Sequence, residues 1–220
     1  MARRLGRAND EYALRRTILM LVTAALFAVF AQSALAAGGS YTFAGGTVKQ
    51  QSTVRAALNA SSFDWGVLPR SVTVHIGPIG GSYSQVGDVY LDGSLLDSGR
   101  FSWGVVQHEF AHQVDFMLFD DTKRALLGSA LGGKDWCYSV AGLEHWEYGC
   151  ERFASELAWA YWPTADNTMS PAYTHGESGG MPITQFRALV AQLLGVPSLA
   201  RLTPVTAFAP TPTARPRKHR

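Results

Sequence analysis

Residues 104–118 read GVVQHEFAHQVDFML, with two histidines four positions apart and a glutamate directly after the first. On an α-helix such a pair falls about 40° apart, one imidazole above the other on a single face. Two imidazoles so placed can share one metal ion. Glu109 lies about 100° round from His108, too far to be a third ligand but able to reach a water in an open coordination position. These are the parts of the H-E-x-x-H arrangement, in which zinc lowers the pKa of bound water towards about 7 and the glutamate takes its proton. With six histidines and seven glutamates in the chain, the pattern arises by chance about once in two hundred sequences of this composition. The expectation is one Zn2+ ion held by His108 and His112, with Glu109 as the base.

A catalytic zinc takes three protein ligands. A third histidine six residues after the pair is excluded, because Leu118 stands there and Asp115 takes the place of the glycine in that extended pattern. Glu151 and Glu156 are the main candidates. They share one expected helix about 140° apart, so only one can face the metal. Ala154, Ser155 and Ala158 lie on the Glu151 face and let that helix approach closely, whereas Arg152 offers Glu156 a solvent-exposed ion pair one turn away. The pattern favours Glu151 over Glu156, and over Glu144, His145, Glu147 and His175. Asp115, within about 20° of His108, reads either as an acceptor orienting a ligand imidazole or a nearby loop, or as a polar residue closing the rim. The opposite face, Phe110, Val114 and Met117, is apolar and should be buried. Gly104, which weakens a helix by about 1 kcal/mol, implies that another backbone or a substrate comes close there.

HEFAHQVD followed by ERFASELAW resembles the compact glutamate zincins, the group of the Mlc titration factor A-like peptidases and the catalytic domain of anthrax lethal factor. In that group H-E-F-[AG]-H-x-x-D is followed by E-x-F-A on a second helix. The resemblance implies a zincin-like fold, zinc-dependent peptide hydrolysis, His108, His112 and Glu151 as ligands and Glu109 as base. The group often steadies the oxyanion with a Tyr or His, for which Tyr148, His145 and His175 are the candidates here. The motifs are specific for metal chemistry and say little about substrate.

Around these stretches the pattern predicts an α+β domain over residues 37–202, with a small sheet packed on the histidine helix and the glutamate helix. Residues 37–46 read as a flexible lead-in and 47–61 as a helix. SVTVHIGPIGG alternates like a strand. GDVYLDGSLL is a second short strand, with DVYLDG expected at the sheet edge over the cleft. Helices follow over about 99–119, 120–133, 150–163 and 181–195, delimited by Asp, Gly and Pro signals. His75, in the first strand, reads as structural. Trp136, Trp146, Trp159 and Trp162 lie near Glu151 in sequence and read as core packing rather than cleft lining.

The charge distribution narrows the function classes. Residues 37–208 carry ten Lys/Arg and fifteen Asp/Glu, an acidic body that excludes a nucleic-acid partner. Residues 1–36 combine five arginines, an apolar TILMLVTAALFAVF run and an ALAAG site, which read as a signal peptide or an uncleaved anchor. A membrane contact is expected only if that segment is retained. Residues 203–220 read as a disordered Pro/Thr-rich basic tail. Export to the cell surface or medium makes the two cysteines, Cys137 and Cys150, a disulfide, one that would pin the helix of Glu151. The functional expectation is an exported zinc peptidase acting on peptides or proteins. The alternatives are a secreted zinc-binding module without catalysis and a binding domain with an incidental histidine pair.

Overall fold

A computed structural model describes residues 39–196; the expected leader (1–36) and basic tail (203–220) lie outside them. The elements run β1 (Tyr41–Gly45), α1 (Val48–Ala60), β2 (Val72–Gly77), β3 (Tyr83–Gln85), β4 (Asp88–Asp92), α2 (Gly93–Asp97), α3 (Trp103–Leu118), α4 (Asp121–Leu131), α5 (Gly149–Tyr161) and α6 (Ile183–Leu194). This is a mixed α+β chain. The sheet has the order β1-β2-β4-β3, with β1, β2 and β4 parallel and β3 antiparallel to β4. Among the described residues no helix is long and apolar enough to cross a membrane.

Local chemistry accounts for the elements. In β2, Val72, Val74 and Ile76 are buried while Thr73 and His75 alternate to the other face, the period of a half-buried strand. Thr47 and Gln50 form a capping box at the start of α1, satisfying two otherwise orphan N–H groups. The core joins α1 (Val54, Leu58), the sheet (Val72, Val74, Val89, Leu91), α3 (Phe110, Val114) and α5 (Phe153, Leu157).

Three expectations change. The supposed lead-in contains β1: Tyr41 and Phe43 pack against the core, Tyr41 edge-on to Phe110 at 5.9 Å. Asp88–Asp92 is internal, and the strand at that edge of the sheet is Tyr83–Gln85, with β1 at the opposite edge. The chain reverses at Val86–Gly87, where Gly87 takes φ 88°, a conformation that costs glycine little. The histidine helix starts at Trp103, preceded by a 3-10 turn over Gly99–Ser102.

The hairpin β3–β4 is tied to α3 by one buried side chain. Gln113 donates from Nε2 to Gln85 O at 2.8 Å and Asp88 O at 3.2 Å, and its Oε1 accepts from Gly87 N at 2.8 Å. Its amide thereby stands in for a strand partner at the hairpin tip. Gln113→Ala should cost about 1–3 kcal/mol by leaving these main-chain groups unpaired, read as a lower urea midpoint. A variant as stable as the wild type would show that water replaces the amide at no cost.

Candidate metal centre

Helices α3 and α5 bring the predicted residues together. His112 Nε2 lies 3.1 Å from His108 Nε2. Glu151 Oε2 lies 3.1 Å from His108 Nε2 and 3.3 Å from His112 Nε2. All three side chains are buried and belong to one grouping that could hold a metal ion. Ligands at about 2.0–2.1 Å in a tetrahedral shell are about 3.3–3.4 Å apart, so the triangle is close to one face of such a shell. The donor set, two imidazoles and a carboxylate, is that of a divalent transition-metal site.

Hydrogen bonding supports the same orientation for one imidazole. His108 Nδ1 is 3.0 Å from Ser155 Oγ, and Ser155 Oγ is 2.8 Å from Glu177 Oε2. A carboxylate only accepts, so Ser155 donates to Glu177 and accepts from His108 Nδ1–H. Held through Nδ1–H in this way, His108 turns Nε2 toward the other two groups, and that atom would give its lone pair to a metal ion in place of the proton it shares with Glu151. His112 Nδ1 is buried without a protein partner. Burial pushes the Glu151 carboxyl up, but hydrogen bonds and charge from His108 and His112 outweigh it and hold it far below the ordinary range. A buried negative charge is thus retained at the point where a cation would sit.

The same groups line a cleft of about 430 Å³ together with Glu109, Ser84, Tyr83, Tyr138 and His145. Glu109 is buried, and the Ser84 hydroxyl from β3 lies 2.8 Å from both its Oε2 and its main-chain O. Tyr138 Oη donates to Glu151 Oε1 at 3.0 Å. His145 places Nε2 3.2 Å from Glu151 Oε2 and Nδ1 2.5 Å from Glu177 Oε1. The bond to Glu177 raises the His145 pKa above its ordinary value, against the effect of desolvation. A larger opening, about 660 Å³ at the ends of β1, β2 and β4, contains no histidine. Its Asp92 carboxylate is taken up by the N–H groups of Ile79, Gly80, Ser94 and Leu95.

Cys137 and Cys150 form a disulfide, consistent with an extracellular location. Each cysteine is followed by a residue of the cleft, Tyr138 and Glu151, so one covalent bond aligns the two side chains that meet at the Tyr138–Glu151 hydrogen bond. Gly149, beside Cys150, admits Trp136, whose ring would meet a Cβ there at 2.7 Å.

Of the oxyanion candidates, only His145 reaches the site. The Tyr148 hydroxyl donates to Val140 O at 2.8 Å, and His175 is exposed and absent from the cleft lining. Glu144 and Glu147 are likewise absent from that lining, and Glu147 pairs with Lys134. Asp115 does not bond an imidazole. It accepts from Arg124 Nε at 2.8 Å and Trp136 Nε1 at 3.2 Å, orienting α4 and the following loop. Gly104 admits a loop, not a substrate: a Cβ there would lie 2.4 Å from Asn167 Oδ1. None of the four tryptophans lines the cleft, but Trp146 is exposed on the surface and not packed in the core as expected. His75 binds Asp88 Oδ1 at 2.7 Å, a structural contact. Sequence reasoning missed Ser84, Tyr138 and Glu177. The disulfide pairing was a signal for Tyr138, whereas Glu177 is remote from every motif.

No family model matches this chain, and no curated protein or solved structure matches it.

Glu156 is not in the grouping, but neither is it the expected surface partner of Arg152. It is fully buried and accepts from Gly179 N, while Arg152 donates to Leu131 O and Trp146 O. Desolvation pushes its carboxyl up to about 7, offset only in part by the Gly179 and Gly180 N–H groups and Arg152. A folded pKa above the unfolded one means that the native state holds a proton the unfolded chain releases. The associated stability is complete below about pH 4.5 and is lost as pH rises to about 7. The melting temperature of Glu156→Gln relative to wild type should therefore climb across that window and level off above it. A constant difference from pH 4.5 to 8 would place the Glu156 pKa at its ordinary value.

Proposed function

We propose that the protein is a zinc-dependent peptidase of the zincin-like type, acting outside the cytoplasm on peptide or protein substrates. The observation that carries this reading is the triangle of His108 Nε2, His112 Nε2 and Glu151 Oε2, with edges of 3.1, 3.1 and 3.3 Å, in the cleft that also holds Glu109. A purely structural metal site has no use for a glutamate base beside it. The resemblance of HEFAHQVD and ERFASELAW to the glutamate zincins points the same way, as does the disulfide for export.

His108, His112 and Glu151 would hold the ion. When bound, zinc supplies an acidified water and polarises the scissile carbonyl. Glu109 takes the proton from the attacking water and returns it to the leaving amine, its carboxylate steadied by Ser84. His145 and Tyr138 both bond Glu151 here, and either would serve the negative charge that develops on the carbonyl oxygen by turning its donor from Glu151 to that oxygen, with His145 held by Glu177. The short edge strand β3 gives an extended peptide a brief stretch of main chain to pair with, leading into this space.

Two substitutions test the assignment on purified protein loaded with zinc. Glu109→Gln should bind zinc like the wild type while peptide turnover falls by about a hundredfold or more; an active variant would end this mechanism. Glu151→Ala should weaken zinc affinity far more than Glu156→Ala, measured by competition with a chromogenic chelator. The reverse ranking would remove Glu151 from the ligand set, and a wild-type protein that binds no zinc would remove the site.

A further inference from the structure

Three rings stand in a row across the sheet. His75 of β2 stacks on Tyr90 of β4 with centroids 4.5 Å apart and planes 9° from parallel. Tyr90 stacks in turn on Tyr83 of β3 at 4.5 Å and 8°. The register puts each pair directly opposite, His75 with Tyr90 and Tyr90 with Tyr83. The spacing is close to the separation of neighbouring strands, about 4.8 Å, so the row advances one ring per strand. It stops at the edge, where Tyr83 is 46% exposed. Tyr83 also lines the cleft, next to the Ser84 that bonds Glu109.

We propose that Tyr83 is a specificity-determining residue that selects a planar side chain, Phe, Tyr, Trp, His or Arg, at one position of the substrate. The inference rests on the peptidase reading and names its substrate class. A peptide that adds along β3 sits one strand spacing beyond Tyr83. The peptide residue opposite Tyr83 then presents its side chain on the outer face, where a planar group becomes the fourth member of the row. Offset stacking of rings is favourable beyond the area it buries, and a guanidinium stacks on an aromatic face in the same way. Alternation sends the flanking peptide side chains to the other face, the side on which Ser84 meets Glu109. The selected residue therefore adjoins the segment that faces the base.

The test uses the zinc-loaded protein and a set of peptides that vary one position at a time, with products read by mass spectrometry. Peptides with a planar residue at one fixed position from the scissile bond should be cleaved with kcat/KM about three- to tenfold above those with Ala there. In Tyr83→Ala that ratio should fall to about one, while Tyr83→Phe retains it. Taking the ratio within each variant removes any general loss of activity. A preference that survives in Tyr83→Ala, or none in the wild type, would overturn the proposal. Binding of the same fluorescein-labelled peptides to zinc-loaded Glu109→Gln, by fluorescence polarisation, separates the two readings. Planar selectivity in binding without wild-type cleavage would support the Tyr83 subsite and end the peptidase assignment. Cleavage with neither form of selectivity would do the reverse.

Discussion

Three polar atoms on two helices come within 3.3 Å of one another only because nothing large stands between the helices. Ala154, Ser155 and Ala158 of α5 are all buried, and they leave room for the imidazoles of α3 to meet the Glu151 carboxylate. A Leu at any of these positions would separate the helices and the site with them. The arrangement carries a cost, since a buried carboxylate is stable only with partners around it. Glu151 has four: His108, His112, Tyr138 and His145. Much of the remaining structure holds those partners in place.

That support comes from segments far apart in sequence. Glu177 reaches in from the chain before α6 and serves two groups at once, bonding His145 directly and His108 through Ser155. The disulfide joins the loop of Tyr138 to the first turn of α5. Asp115, one turn beyond His112, anchors the Trp136 ring that packs on Gly149. The helix with the histidines thus also locates the loop that closes the other side of the cleft.

What could be read from the sequence divides along physical lines. The histidine pair, Glu109 and the choice of Glu151 followed from helical geometry, which fixes neighbours at short separations. The disulfide followed from compartment and number. Strand β1 was hidden because Tyr41 and Phe43 are an alternation of only two residues between glycines. The exposed partner expected for Glu156 failed because local spacing is blind to burial: the loop at Gly179 covers that face of α5. Ser84, Tyr138 and Glu177 meet the motif only through tertiary packing, which no periodicity reports.

Strand β3 is only three residues long. A chain laid along it gains few main-chain hydrogen bonds, each worth about 0.5–1.5 kcal/mol net. Such an edge holds any one chain weakly and releases it quickly. It also gives other copies of the protein little length on which to polymerise through strand pairing, the hazard that long exposed edges carry. An exposed edge of this length is thereby a poor seed for fibres.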